Sequence, residues 1–291
     1  MSSEIKPGPS GGAVSPPRAP RGTGRGDTSL RYYLSGGSVT GVISRGKAAI
    51  LALVAGCIFI GALTLIFPKD SFGASLLLEH SHDSPFPYPF TIQNMIHLLF
   101  FVGLGELFVR ARVGSWETVQ LHDHFLPEDE ASVLRIEDLG AIRRKVAHHY
   151  DGDNGFLPSL INMAVLQLQS TRSIDQAVSV LQTSLGLLES KVEQRYAMVR
   201  YLAWVIPTMG FIGTVSHLGN ALRLVNPDHM DITAVTTALA IAFNTTLVAL
   251  IESAILVLIQ HVVQTREDAA VGLAGEYCLK NLINRLYVTA P

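Results

Sequence analysis

Cysteine and charge are both scarce in this chain of 291 residues. Its 2 cysteines, Cys57 in an apolar run and Cys278 near the C-terminal end, indicate neither a disulfide framework nor a zinc site. Charged residues make up 16% and hydrophobic residues 48%, and the formal net charge of −2 gives no argument for nucleic-acid binding. The sequence contains no P-loop, HExxH helix or nucleophile elbow, so it does not indicate an enzyme.

The hydrophobic residues are concentrated in a few long runs, which favours a membrane protein over a large soluble core. About 20 mostly apolar residues are enough to cross the hydrocarbon of a bilayer. We therefore predict an all-α membrane protein with four transmembrane helices. A helical cytoplasmic domain is predicted between spans two and three, and long third and fourth helices extend into the cytosol. The predicted spans are 48–67, 91–110, 201–224 and 232–262.

The segments outside these spans are polar, and they define the predicted domains. Residues 1–46 are rich in Gly, Pro, Ser and Arg, which predicts a disordered tail; a basic nucleic-acid-binding arm is the alternative. Basic residues flank the spans on one side, so the positive-inside rule predicts that both termini are cytoplasmic. The predicted division is 1–46 as cytoplasmic tail, 47–112 as first transmembrane hairpin, 113–196 as helical cytoplasmic domain, 197–264 as the core of the last two spans, and 265–291 as a second cytoplasmic tail.

Two patterns predict helices in the segment 113–196. L-P-E-D-E at 126–130 is typical of a helix start, because proline and acidic residues are favoured in a first turn. A stripe of apolar residues at helical spacing predicts an amphipathic helix that packs against other helices and runs into the third span. The residues of this stripe are Ile174, Ala177, Val178, Leu181, Leu185 and Leu188.

Ionisable groups are few in and around the first two spans. Glu106 lies four residues before Arg110, which predicts an ion pair on one helix face, and a direct role in moving ions is the alternative. The loop before the second span contains His80, His82 and Asp83. We interpret these three as solvated loop residues, with a metal site as the alternative reading.

The third and fourth spans each carry a face of small residues around one threonine. On the fourth span Ala242, Thr246, Ala249 and Ser253 recur at spacings of four, three and four, so they share a narrow face suited to close helix contact. On the third span Thr214 lies on a similar face, about 20 Å above the cytosolic start, and Thr246 lies at a matching depth. Both are predicted near mid-membrane. A threonine bonded only to its own helix backbone is the alternative.

Further candidates lie on the same two helices. Asn244 and Thr245 are predicted to line an ion pathway or to bond between helices. Glu252 is predicted to act as an ion relay, and a solvated or helix-bonded carboxylate is the alternative. His217 is interpreted as a packing contact near the outer surface, or as a group that titrates near neutral pH. The residues predicted to serve helix packing or hinging are Pro207, Gly210, Gly213 and Ala249.

Two segments carry a resemblance to a known family. They are W-V-I-P-T-M-G-F-I-G-T-V at 204–215 and A-I-A-F-N-T-T-L-V-A-L at 240–250, which resemble the paired signatures of the MotA/TolQ/ExbB proton-channel family. The resemblance covers mainly 195–265, so it makes 197–264 a channel core. The four-span layout is more similar to flagellar MotA than to three-span ExbB and TolQ. Ala249, where the family commonly has glycine, and Asn244 depart from the pattern.

The resemblance implies a homopentamer in the bacterial inner membrane, whose third and fourth helices surround a pore. Two copies of a single-span MotB/TolR/ExbD-like partner would insert there, and the partner's Asp would carry the transported H+ or Na+. No cofactor is implied. Thr214 and Thr246 match the family's pore threonines, and Pro207 matches the proline at the start of the third span.

The function implied is a stator-type channel subunit that couples proton or sodium flow to mechanical work, through rotation of the pentamer around its partner. The alternative is a non-conducting membrane scaffold of an envelope complex. A secondary transporter would be expected to show repeat symmetry between its halves, and none is visible. The transported ion and the driven process, whether flagellar torque, envelope or protein transport, or gliding, stay open.

Overall fold

The first three helices form a hairpin with a short helix inserted at its turn. The computed structural model describes residues 45–68, 71–79, 88–129, 132–147, 149–150, 154–223, 225 and 232–287. Helix α1 (Arg45–Ile66) is followed by α2 (Phe72–Leu77), which begins after Ser71, and by α3 (Ile92–Gln120), which begins after Thr91. Both cap residues accept a backbone N–H with the side-chain oxygen, as expected at a helix start. Residues 1–44 of the predicted tail 1–46 and the loop residues His80, His82 and Asp83 lie outside the described residues, whereas Arg45 and Gly46 belong to α1.

The segment between the second and third spans is helical, as predicted, but its first helix starts later than the sequence indicates. Helix α4 (Leu139–Val146) is preceded by a 3-10 turn, Ile136–Asp138, and is followed by α5 (Phe156–Thr171) and α6 (Ile174–Arg195). The prediction of a helix start at 126–130 is wrong for its described residues. The Arg285 guanidinium donates to the carbonyls of Pro127, Glu128 and Asp129, and these bonds hold the segment in a non-helical conformation.

The last two helices are the longest of those described. Helix α7 (Ala197–Arg223) follows α6 with only a turn at Tyr196, so the predicted continuous run into the third span is nearly unbroken. Helix α8 (Ile232–Cys278) has 47 residues, which corresponds to about 70 Å, and ends in a π-helical turn, Leu279–Ile283. It packs antiparallel to α7 and also contacts α3, α5 and α6.

Four helical stretches are long and apolar enough to cross a membrane, in agreement with the four predicted spans. They are Arg45–Ile66, Ile92–Gln120, Ile174–Arg223 and Ile232–Ile283. Where the helices leave the bilayer is not defined by their ends, because α3, α6–α7 and α8 all continue beyond the predicted spans. The domain boundaries given above therefore stay predictions.

The predicted apolar stripe of α6 is a packing surface. Ala177 and Leu181 are fully buried, and the other stripe residues pack against the same core, which is completed by α5 and the far part of α8. Gly275 of α8 lies so close that an added Cβ would be 2.8 Å from a Leu185 methyl. This core joins the polar segment 113–196 firmly to the fourth span.

Charged side chains gather where α1, α3 and the α6–α7 junction meet, and we call this region the basic end. Glu106 accepts from Arg45 at 2.6 Å and from Arg110 at 3.3 Å, which confirms the predicted i,i+4 pair. Nearby, Glu267 of α8 is fully buried and accepts from Arg195 Nη1 at 2.6 Å and from the Tyr196 hydroxyl at 2.8 Å. These bonds join α8 to the α6–α7 junction.

Candidate functional site between α7 and α8

The hydroxyls of Thr214 and Thr246 contact each other where α7 crosses α8. Thr214 Oγ1 donates to the Ala242 carbonyl of α8 at 3.0 Å, and Thr246 Oγ1 donates to the Gly210 carbonyl of α7 at 3.1 Å. Each threonine thus bonds a carbonyl of the opposite helix, in addition to any contact with its own. A hydrogen bond between the two hydroxyls requires one of them to donate to the other, so their two protons are shared between this contact and the facing carbonyls, and each oxygen still keeps a lone pair that can accept a hydrogen bond from a third group.

The two helices approach closely because small residues face each other at this level. A Cβ added at Gly210 would lie 2.5 Å from the Ala249 Cβ, and one added at Gly213 would lie 2.8 Å from the Thr245 Cγ2. Ala249, the residue that departs from the family pattern, is thus accommodated by a glycine on the opposite helix. Backbones this close bring hydroxyls within reach of carbonyls across the contact.

The equal heights of the two threonines agree with the sequence analysis, because their hydroxyls meet. Their position relative to α3 was not foreseen. Ile92, the first residue of α3, is within 3.3 Å of a Cβ added at Gly213, so the threonines lie level with the start of that helix. Thr246 therefore lies near the middle of the predicted fourth span, whereas the threonine pair lies at the first residue of α3.

Pro207 interrupts the hydrogen bonding of α7, and α8 compensates. Proline has no N–H, so the carbonyl four residues earlier, that of Ala203, loses its helical partner. The Ser253 hydroxyl of α8 donates to this carbonyl at 2.8 Å. A polar group freed within an apolar bundle needs such a partner, so Ser253 stabilises the proline-containing helix.

Replacing Ser253 with alanine is expected to lower the free energy of unfolding by about 1–3 kcal/mol, because the Ala203 carbonyl becomes buried without a partner. Thermal unfolding of the chain in nanodiscs measures this loss. Thr236→Ala is the matched control, since its exposed hydroxyl bonds only within its own helix, and it should change stability by less than about 0.5 kcal/mol. Equal effects of the two substitutions would contradict the assigned role.

Asn244 and Thr245, both predicted pathway residues, lie away from the threonine pair's polar atoms. The Asn244 amide donates to the Ser75 carbonyl of α2 at 3.1 Å, and the fully buried Thr245 hydroxyl donates to Ile241 of its own helix at 2.9 Å. Asn244 thus joins α8 to α2, whereas Thr245 bonds only within α8. No further group is needed to explain either side chain.

Glu252 is buried, whereas the sequence analysis allowed for a solvated carboxylate. It is 9% exposed, and its Oε1 lies 2.5 Å from His97 Nδ1 of α3, which is 1% exposed. A second pair of this kind joins α7 to the loop after α2, where His217 Nε2 is 3.1 Å from Glu79 Oε1. His217 thus makes a packing contact, as interpreted, and its partner is an acid.

The pairing of His97 with Glu252 could not be read from the sequence, because 155 residues separate them. The available signal was the presence of both ionisable groups in apolar runs, where such side chains are rare and usually paired. The same signal marks Glu79 and His217. In the described part of the chain, no group of three or more His, Cys, Asp or Glu side chains is arranged to hold a metal ion.

Four apolar helices and a tight, hydroxyl-bonded contact between the last two define a multi-pass, all-helical membrane protein. Residues 153–273 match the model of the MotA/TolQ/ExbB proton channel family, which confirms the resemblance for that part of the chain. The matched region contains both threonines and Glu252. No curated protein and no solved structure matches the chain significantly. The matching family is described as one of proton channels.

Proposed function

We propose that the chain is the channel-forming subunit of a bacterial inner-membrane complex that couples proton or sodium flow to mechanical work. The observation that carries this proposal is the Thr214–Thr246 contact inside the family-matching segment. Two hydroxyl oxygens with free lone pairs offer hydrogen-bond acceptors to a protonated carboxyl or to a hydrated ion. Both side chains are only half-buried in the single chain, so a partner can reach them.

Five copies of the chain are proposed to surround one pore lined by α7 and α8. This arrangement is supported by the large apolar side chains that these helices leave exposed when a single copy is considered. Such a surface is stable in a membrane against lipid or against neighbouring helices. Examples on both helices are Phe211, Val215, Leu222, Phe243, Leu247 and Leu250.

A single-span partner of the MotB/TolR/ExbD type is proposed to enter the pore with an Asp that carries the ion. Protonation of that Asp removes a charge that is costly in the membrane, and it changes which subunit contacts the partner prefers. Repeated loading and release then bias rotation of the pentamer around the partner. Force would reach other proteins through the segment 113–196, which packs on α8, or through the partner.

The basic end is proposed to face the cytosol, with both termini on that side. Arg45, Arg110 and Arg195 lie there, and cytoplasmic flanks of membrane helices are enriched in such residues. The opposite end, at which α2 and the start of α3 lie, would then face the exterior. In this orientation the threonine pair lies nearer the exterior face, and an ion would reach it from the outside.

Replacing Thr246 with valine is expected to lower ion-driven flux about tenfold or more, since one lost polar contact in the rate-limiting state raises a barrier by about 1.4 kcal/mol. The complex is isolated through a tag on this chain together with its native single-span subunit, and proton and sodium uptake are measured in liposomes. Valine keeps the shape of threonine, so helix packing is preserved. Thr208→Val is the control, because that hydroxyl donates to Trp204 of its own helix.

Two outcomes would count against the channel. Isolation without any single-span subunit would remove the proposed partner. Unchanged uptake in both Thr246→Val and Thr214→Val complexes would favour a non-conducting scaffold.

A further inference from the structure

His97 and Glu252 meet deep within the predicted membrane part. The edge contact between His97 and Phe59 of α1, with ring centroids 5.7 Å apart, places the pair beside that helix. Phe59 lies about 21 Å along α1 from Arg45 and about 10 Å from Ile66, so neither end of the span is near. Burying an ionisable pair at such a depth costs free energy, and ionisable residues within membrane spans usually mark a functional site.

The hydrogen bonds of the pair determine its proton content. His97 Nε2 lies 2.9 Å from the Leu77 carbonyl, which can only accept, so Nε2 carries a proton. His97 Nδ1 and Glu252 Oε1 are 2.5 Å apart, and a hydrogen bond between them requires a second proton. The pair therefore exists as imidazolium with carboxylate, or as neutral imidazole with carboxylic acid. In either form its net charge is zero.

Loss of that second proton changes both the charge and the contact. Neutral His97 then turns a lone pair toward a carboxylate, and the pair carries a net charge of −1 in an apolar environment. The attraction at Nδ1 is replaced by repulsion, so the 2.5 Å contact opens. Glu252 Oε2 is buried and has no hydrogen-bond partner among the described residues, which leaves it available as the atom that receives or releases a proton.

The same histidine holds α2 in place. The last carbonyls of a helix lack internal partners, and three such carbonyls of α2 are bonded by side chains of the spans. Asn244 of α8 donates to Ser75, Gln93 of α3 donates to Leu76, and His97 donates to Leu77. The pair therefore connects α3 and α8 directly, and it connects both to α2.

Other ionisable groups on the packed helices are engaged elsewhere. Glu79 after α2 faces His217 of α7, while Glu106 and Arg110 of α3 pair with each other at the basic end. Toward the pair, α1 presents the aromatic ring of Phe59. The remaining titratable groups in the described parts of the spans near this level are Cys57 on α1 and Tyr201 on α7, which are both exposed.

We propose that His97 and Glu252 form a proton-binding site of this chain, and that loss of the proton loosens α2 from α3 and α8. The site places an acid on α8, one of the two helices proposed to line the pore, whose paired threonines cannot ionise. Its use as a step in ion flow rests on the proposed function, whereas the binding of the proton and the hold on α2 rest on the contacts above.

Two measurements on the purified full chain in nanodiscs test the proposal. Infrared difference spectra between acid and alkaline pH should contain a change in carboxyl or carboxylate bands that disappears in Glu252→Gln and persists in Glu106→Gln, because loss of the proton alters the Glu252 carboxylate bands in either form of the pair. Glutamine keeps a donor toward His97 Nδ1 without a titrating proton. Hydrogen–deuterium exchange of α2 is then compared between the unsubstituted chain and Glu252→Gln at the same pH. At alkaline pH, exchange should be about tenfold faster in the unsubstituted chain, and at acid pH the two rates should be equal.

The proposal is overturned if Glu252→Gln leaves the infrared transition intact, or if exchange in α2 is the same in both chains at every pH. Neither measurement depends on ion flow or on a partner. A chain that conducts nothing in liposomes would still give both signals, so failure of this proposal and failure of the channel function can be distinguished.

Discussion

Replacing Gly210 with alanine is expected to force α7 away from α8 and to abolish most of the proposed activity. The new methyl group would lie 2.5 Å from the Ala249 Cβ and 3.4 Å from the Thr246 Cα, so the backbones must separate. Overpacking of this kind costs about 1–3 kcal/mol. Separation also pulls each threonine hydroxyl from the carbonyl of the opposite helix, so stability and ion flux should fall together.

A second substitution makes this prediction specific. In the double variant Gly210→Ala, Ala249→Gly, the methyl group moves from one helix to the other, and the contact should close again. Thermal stability in nanodiscs and flux in liposomes are expected to recover substantially, which a double-mutant cycle would report as a favourable interaction energy. Gly219→Ala is the control on the same helix, because no atom of the described residues lies within 4 Å of its added Cβ. Absence of recovery would mean that the Gly210–Ala249 contact does not set the helix separation.

Replacing Glu267 with alanine is expected to destabilise the chain by about 3–5 kcal/mol, the cost of breaking a buried ion pair by removing one partner. Glu267 is fully buried, and its removal leaves the Arg195 guanidinium and the Tyr196 hydroxyl without their acceptor. Arg195 also stacks on the Phe156 ring at 5.4 Å, so it cannot simply turn to water. Detachment of α8 from the α6–α7 junction should follow.

Thermal unfolding and limited proteolysis between α5 and α7 measure this effect. Asp268→Ala removes the same charge from the next residue, which is exposed, and it should leave both readings nearly unchanged. If the two variants behaved alike, loss of negative charge rather than loss of the buried pair would explain the result.

The spans could be predicted from sequence because their signal is local. A run of about twenty apolar residues has few stable structures other than a membrane-spanning helix. The stripe from Ile174 to Leu188 repeats at the period of an α-helix. The helix start expected at 126–130 failed for the opposite reason. Its local residues favour a helix, but Arg285, far away in sequence, bonds the carbonyls that a helix would have used.

The same distinction applies to the candidate site. The faces that carry Thr214 and Thr246 follow from residue spacing, and their matching heights follow from the rise of an α-helix. The bond from Ser253 to Ala203 and the pairing of His97 with Glu252 depend on how separate helices are placed, which no local pattern contains. The position of α2 was also unpredictable, because a six-residue helix has no periodic signature of its own.

The length of α8 allows a small change of tilt to become a larger displacement at its far end. From Ala249 to Cys278 the helix continues for about 44 Å without a proline, so a tilt at its contact with α7 would be carried to its distal end. A tilt of about 5° at this contact displaces the distal tip by roughly 4 Å. The Tyr277 hydroxyl, which donates to Glu128 at 2.9 Å, would carry the adjoining surface with it. A small tilt within the bilayer would thus become a displacement outside it that is large enough to alter a contact with another protein.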